Sequence, residues 1–283
     1  MPHPAMSANN VAVITGGASG IGLAAATHFA GIGMKVCIAD IGADRLAEAA
    51  ATLASVAKGG AADIMTASVD VSRFDDVAAL ETAVQKRFGG TDILMNNAGI
   101  GPDSTSLGPL ENWQRILAVN LWGVIHGTQA FAPGMIERGR AGLIINTGSK
   151  QGITTPPGNP AYNVSKAGIK AMTEALQHEL RNTPGCRINA HLMIPGHVFT
   201  GLTARGRSEK PPGAWTPEQT IDFMIERIDA GDLYILCPDN DVPRKLDERR
   251  IAWAAGDIIE NRHALSRWHP DYAEAFARFV KGE

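Results

Sequence analysis

The sequence predicts an α/β fold: one doubly wound, parallel, seven-stranded sheet with helices on both faces, followed by a helical C-terminal extension. Three observations predict it. Apolar runs such as Val11-Ala12-Val13-Ile14 are short and continuous, the mark of strands covered on both faces. They recur between stretches of helical period, the rhythm of βαβ units. The first strand runs into a glycine-rich turn that opens a helix, an arrangement suited to a phosphate-bearing ligand.

In order, Val11–Ile14 is a central strand, and Gly16, Gly20 and Gly22 form the turn, spaced G-x-x-x-G-x-G. Without Cβ atoms the backbone turns tightly and approaches a pyrophosphate, which the following helix (Ile21 to about Gly31) stabilises at its N-terminus. The second strand, Lys35–Ala39, ends in Asp40, 20 positions beyond Gly20. A carboxylate there is placed to accept hydrogen bonds from both adenosine ribose hydroxyls and to repel a 2′-phosphate, and Gly17, Ala18 and Ile41 offer no cation; NAD is the expected cofactor. A helix from Ala43 to Ala57, a third strand from Ile64 to Val69 and a charged amphipathic helix from Asp75 to Phe88 follow.

Asp92–Met95 is the fourth strand, ending at Asn96-Asn97-Ala98-Gly99. Glu111 to Met135 has helical spacing with Asn120 in its middle, a polar amide that must find partners. His126 nearby reads as a core or interface residue. Leu143–Thr147 is the fifth strand and delivers Ser149. The helix from Ala161 to Arg181 carries Tyr162 and Lys166, which share one face because four residues turn a side chain only about 40° past a full circle. An ammonium beneath a phenol favours the phenolate and draws its pKa towards neutrality. Arg187–Ile194 is the sixth strand. Gly201–Trp215, polar and rich in Gly and Pro, is expected to be a mobile lid. A capped helix from Thr216 to about Ala230 leads to the seventh strand, Leu233–Cys237.

Thr15-Gly16-Gly17-Ala18-Ser19-Gly20-Ile21-Gly22, Asn96-Asn97-Ala98-Gly99, Asn120, Ser149 and Tyr162-x-x-x-Lys166 occur in that order. Together they resemble the short-chain dehydrogenase/reductase family, from about Val11 to Thr200, and imply a Rossmann-type fold. The resemblance gives Thr15, Gly16, Ser19, Gly20, Ile21 and Gly22 to the dinucleotide, and Asp70 and Val71 to the adenine, although Asp70 could instead cap a helix. It has Asn96 and the turn Asn97, Ala98 and Gly99 brace the sheet and line the adenosine side. Val119-Asn120 matches a helix kink that holds a water relayed to the lysine. Pro195, Gly196, Val198 and Thr200 match the segment that holds the nicotinamide amide. In relatives the face of the Tyr162 helix with Ala167, Ile169, Ala171, Met172, Ala175 and Leu176 helps make a dimer, so a homodimer or homotetramer is expected.

The implied reaction is NAD-linked interconversion of a secondary alcohol and a ketone. Tyr162 exchanges the hydroxyl proton; Ser149, 13 positions before it, bonds the substrate oxygen; Lys166 serves tyrosine and ribose; Asn120 anchors the relay. Thr147 is a weaker candidate for the serine's part. The other readings are an NADP-dependent carbonyl reductase of the same family, a non-catalytic dinucleotide-binding regulator, which would not need all four residues, and an epimerase or dehydratase, for whose larger substrate domain too little chain remains.

The sequence departs from the family after Cys237. Pro238 to Glu283 suggests two helices, Val242–Glu260 and Pro270–Val280, with Ile251, Trp253, Ile258 and Ile259 in an apolar pattern and four aromatics, Trp268, Tyr272, Phe276 and Phe279. Such a tail should dock, over the sheet edge at Leu233–Cys237 or against the lid.

At 283 residues the chain can bury one large core, and no linker divides it. With 26 basic and 29 acidic residues it has no footprint for nucleic acid. Cys37, Cys186 and Cys237 lack metal-ligand and disulfide spacing, so neither metal nor disulfide is expected. No run approaches a membrane span. Residues 1–10 read as a disordered leader and the protein as cytoplasmic.

Overall fold

A computed structural model describes residues 2–204 and 206–282. Seven parallel strands lie in the order β3-β2-β1-β4-β5-β6-β7, with β1 Val11–Thr15, β2 Lys35–Asp40, β3 Ile64–Ser68, β4 Ile93–Asn96, β5 Gly142–Thr147, β6 Ile188–Ile194 and β7 Tyr234–Leu236. Every residue of β1, β4 and β5 is buried, which is why these runs are continuously apolar. The helices are α1 Gly20–Gly31, α2 Ala43–Val56, α3 Phe74–Phe88, α4 Leu110–Ile116, α5 Gly123–Glu137, α6 Gln151–Thr154, α7 Pro160–Asn182, α8 Gly201–Ala204, α9 Pro217–Asp229, α10 Arg244–Ile259 and α11 Ala273–Lys281. One core layer packs α1, α2 and α9 against the sheet; the other packs α3, α5 and α7. Because β2 and β4 flank β1, the chain's winding reverses between β1 and β4, and the strand ends there open a crevice.

Four expectations change. Residues 2–10 of the expected leader are packed rather than disordered: Ala5 and Met6 are buried in the α1 side of the core, His3 N donates to Asp229 Oδ1 at 2.9 Å, and Asn10 Nδ2 donates to Ala5 O at 3.0 Å. Two apolar side chains among polar neighbours gave no periodicity from which to see this. The single helix expected over Glu111–Met135 is α4, a π-helical turn at Leu117–Trp122, and α5. The wider turn falls at the completely buried Asn120, where the helix needed to bend. The face of α7 expected to pair with a second copy is not one face: Ile169 and Leu176 are buried while Ala171 and Ala175 are exposed.

The extension is helical, but Ile258 and Ile259 are 86% and 81% exposed. Its packing is carried instead by Trp253, buried edge-on against Phe276 and Phe279, and by Ile251 against the cluster of Leu236 and Ile194. Both expected docking surfaces are used in part. α10 packs on α6 and, through Ile251, on the cluster that contains Leu236 of β7, and Asn240 holds the end of the segment expected as a lid, its Oδ1 accepting from Trp215 Nε1 at 3.1 Å.

Candidate active site

The glycine turn is fixed by sterics. Gly16 has φ +63°, and a Cβ there would lie 2.8 Å from Ala98 Cα; one on Gly22 would lie 2.2 Å from Gly16 O. The β1 and β4 ends are pinned together by Thr15 Oγ1, which accepts from Asn97 N at 3.0 Å and Ala98 N at 3.2 Å, and by Asn97 Nδ2, which donates to Gly16 O at 3.2 Å. Asn96 points elsewhere: its Nδ2 donates to Asn146 Oδ1 at 2.9 Å inside the core, bracing β4 to β5. Ser19 at the N-cap of α1 makes no side-chain cap bond, and the first turn holds no acidic residue. The N-terminus of α1, with Ile21 in its first turn, therefore has neither a side-chain cap nor an acidic residue of its own to balance its dipole.

Asp40 stands at the end of β2 with Oδ2 accepting from Ala18 N at 3.1 Å and Oδ1 from Ile41 N at 2.8 Å. Arg45 Nη2 lies 3.6 Å from Oδ1. Asp70 closes a local turn, its Oδ1 accepting from Ser72 N at 2.9 Å and Ser72 Oγ at 2.7 Å. Asp70 does not cap α3, which begins at Phe74 with Arg73 at its N-cap. Val71 packs where a Cβ on Gly123 would meet it at 2.8 Å, and its carbonyl lies 2.9 Å from His126 Nδ1. His126 sits among Phe74 and Trp122 as a packing residue.

Tyr162 enters α7 one turn before Lys166, and Asn159 caps that helix through Tyr162 N at 3.3 Å. The buried Lys166 donates from Nζ to Thr147 O at 2.8 Å and lies 5.6 Å from the centre of the Tyr162 ring. Burial pushes Lys166 down to about 8. Burial also pushes the Tyr162 phenol up, against the pull of a hydrogen bond to Ser149. The expected lowering of Tyr162 by Lys166 is thus absent in the protein alone, where desolvation dominates. Asn120 is buried beside Lys166: its Oδ1 accepts from Ile100 N at 2.8 Å, and its Nδ2 donates to Ile100 O at 2.9 Å. A Cβ on Gly99 would be 3.5 Å from Asn120 Oδ1 and 3.9 Å from Lys166 Nζ, so this turn roofs both groups. Thr147 turns away, its Oγ1 donating to Asn97 Oδ1 at 3.2 Å. Ser149 Oγ accepts from Gln151 N at 3.2 Å, at the start of α6.

The Pro195–Thr200 segment follows β6 and faces the glycine turn: a Cβ on Gly20 would come within 3.1 Å of Thr200 Cγ2. Val198 is buried and bridges Trp215, so the lid from 201 to 215 is tied at its far end. Arg205 lies outside the described residues. Leu202 of α8 and the Tyr162 ring both approach Gly101, within 3.5 and 3.8 Å of a Cβ built there. Three residues were not foreseen. Lys150 Nζ lies 3.2 Å from Asp239 Oδ2 and 2.6 Å from Asp247 Oδ2, and Asp239 Oδ2 also accepts from His197 N at 3.1 Å. A lysine directly after Ser149 and an aspartate three residues after the last strand were the available signals. The described residues hold no cluster that could bind a metal, and all three cysteines are free thiols.

Residues 10–211 match the sequence model of the short chain dehydrogenases. The chain is 35% identical over 212 residues to 3beta-hydroxysteroid dehydrogenase 2 of Eggerthella lenta, covering 74% of this chain and 79% of that protein. It is 34% identical over 219 residues to D-beta-hydroxybutyrate dehydrogenase of Rhizobium meliloti, covering 77% and 81%. A crystal structure of a short chain dehydrogenase/reductase from Burkholderia phymatum in complex with NAD superposes with a TM-score of 0.80 at 31% identity, over 91% of this chain and 96% of that one. With the doubly wound sheet, the glycine turn and Tyr162 and Lys166 on one face of α7, these matches identify the chain as a member of the short-chain dehydrogenase/reductase family of oxidoreductases.

Proposed function

We propose that this protein is an NAD-dependent oxidoreductase that interconverts a secondary alcohol and a ketone, with Tyr162 as the general acid/base. The observation that carries this reading is that Lys166 and Asn120 lie under the turn at Gly99 while Tyr162, hydrogen-bonded to Ser149, lies beside Gly101, next to the crevice of the doubly wound sheet. The residues fit the cofactor. The uncapped N-terminus of α1 suits its pyrophosphate, Asp40 its adenosine ribose, and the segment carrying Pro195, Gly196, Val198 and Thr200 its nicotinamide end. Val71 and the second oxygen of Asp70 remain candidates for the adenine. Bound NAD would supply the hydride acceptor for alcohol oxidation.

Everything else falls to the chain. Ser149 donates to the substrate oxygen and orients it towards Tyr162, and the Tyr162 hydroxyl takes the proton of the alcohol or returns it to the ketone. Burial holds the phenol protonated, which suits it as an acid; a cation close to its oxygen is needed before it serves as a base. Lys166 is the group in reach, provided its ammonium leaves Thr147 O for the ribose and phenol side. Asn120, held in the π-helical turn by Ile100, keeps open the route by which protons reach Lys166.

Leu202 and Gly101 beside the Tyr162 ring favour an alicyclic or similarly bulky alcohol, in keeping with the name of the hydroxysteroid dehydrogenase relative. The working unit is a homodimer or homotetramer, and the compartment the cytoplasm. The test is the near-ultraviolet absorbance of reduced nicotinamide on mixing protein, NAD and a panel of secondary alcohols, with hydroxysteroids and 3-hydroxybutyrate at its two size extremes. Absorbance should rise with the bulkier members. No rise with any alcohol, and no fall with NADH and the matching ketones, would leave the regulator reading in its stead.

A further inference from the structure

The C-terminal extension encloses a cavity of about 300 Å³ between α6, β7, α10 and the short turn before α11. That is the lower end of the size at which small organic molecules bind. Its charge is unusual. Of three cations on its wall, Lys150 is committed to Asp239 and Asp247, at 3.2 and 2.6 Å. Among the described residues, Arg250 and Arg267 have no ion-pair partner, and the Nε of Arg250 is buried with no hydrogen-bond acceptor. Burial weighs against the charge of Arg267 and the neighbouring Arg250 repels it, with Asp247 offsetting part of both. Three positive groups against the two carboxylates leave one net positive charge.

The rest of the wall is apolar. Ile153, Pro156 and Ile251 line it, and Trp268 presents an indole 40% exposed with Arg267 stacked 4.7 Å from its ring centre. Arg250 Nε is buried with no acceptor, which is costly, and the forked, planar donors of the two half-buried guanidiniums match a carboxylate two-to-two. An excess of one charge matches a monoanion, and an apolar wall with an open aromatic face matches a carbon skeleton.

We propose that this cavity is a second ligand site, for a small organic monocarboxylate held by Arg250 and Arg267 with its apolar body against Trp268 and Ile153. Gln151, on the same wall, donates its amide to Ser149 Oγ at 3.2 Å, so the occupant would rest against the turn that holds Ser149. Binding itself does not depend on the oxidoreductase reading.

The experiment is calorimetric titration of the full chain with benzoate and, separately, with inorganic phosphate. Benzoate should bind with a Kd of about 1 mM or tighter, as its few heavy atoms allow. Arg250→Gln and Arg267→Gln should each weaken it about tenfold or more, and Arg250→Lys, which keeps the charge but not the fork, by an intermediate factor. Phosphate should bind more weakly than benzoate. No saturable heat with benzoate would overturn the site, as would unchanged affinity in the two Gln variants at wild-type Tm. Phosphate binding tighter than benzoate would overturn the carboxylate assignment. A readout that needs neither Gln variant to fold is acrylamide quenching in the wild type: benzoate should shield emission that is missing in Trp268→Phe, and equal shielding in both proteins would place benzoate elsewhere.

Discussion

Lys150 Nζ lies 3.2 Å from Asp239 Oδ2, joining the residue after Ser149 to the start of the C-terminal extension. The same oxygen takes the amide of His197, and a Cβ on Gly196 would meet it at 2.4 Å, so the Pro195–Gly196 turn is moulded around this carboxylate. Asp239→Ala should therefore do two things. It should cost about 1–3 kcal/mol in a urea melt, because a buried amide loses its acceptor and Lys150 keeps only Asp247. It should also raise the KM for NAD more than it lowers kcat, since the segment proposed to hold the nicotinamide loses its anchor while Tyr162 does not. Unaltered stability and KM would show the turn to be held by other contacts.

A second prediction concerns pH. Lys166 is pushed by burial from 10.5 to about 8, so between those values the folded protein holds fewer protons than the unfolded chain, and stability must rise with pH there. The penalty of the buried ammonium is fully present below pH 8 and relieved by pH 10.5. Other groups titrate in the same range, notably Cys37 and Cys237, so the comparison is with Lys166→Met. In the absence of NAD, wild type should gain on the variant by up to roughly 3 kcal/mol across the window. Denaturant midpoints measured in parallel for both proteins check it; a constant gap would mean that Lys166 is not desolvated.

The proposed preference for NAD rests on Asp40. One unpaired like-charge contact in a partly desolvated site is worth several kcal/mol, so NAD should exceed NADP by about 100-fold or more in kcat/KM. Asp40→Ala should collapse that ratio, because it removes the repulsion and releases Arg45, now 3.6 Å from the carboxylate, for a 2′-phosphate. Comparable kcat/KM values in the wild type would refute the assignment of Asp40.

The glycine turn makes the simplest steric prediction. Gly22→Ala puts a Cβ 2.2 Å from Gly16 O and 2.6 Å from Asn97 Nδ2, so it should destabilise by about 1–3 kcal/mol and weaken NAD binding, whereas Gly31→Ala, with open space around it, should do neither. Fluorescence titration with NADH and thermal melts distinguish the two.

The parts of this fold that the sequence makes legible are those where one local rule has one solution. A buried parallel strand must be apolar on both faces, so β1, β4 and β5 could be read directly. Tyr162 and Lys166 share a face by helix geometry alone. What stayed hidden depends on long-range partners. Asp239 and Asp247 gain their meaning only from Lys150, roughly a hundred residues earlier. Ala5 and Met6 become core residues only because α1 and α9 leave room for them. Ile258 and Ile259 fit a helical apolar pattern, yet Trp253 with its two phenylalanines satisfies the packing of α10 without them. The pKa of Tyr162 ran against the expected direction because spacing reports who is near and not how much water is excluded.

The central claim is that the Tyr162 hydroxyl moves the proton in an NAD-linked alcohol oxidation, and the most direct measurement is the rate of NADH appearance for wild type and Tyr162→Phe at saturating NAD. Removing one hydroxyl from the general acid/base should lower kcat by about a hundredfold or more while the affinity for NADH, read by fluorescence, stays within a fewfold of wild type. A Tyr162→Phe protein that binds NADH normally and keeps near wild-type kcat would contradict the account.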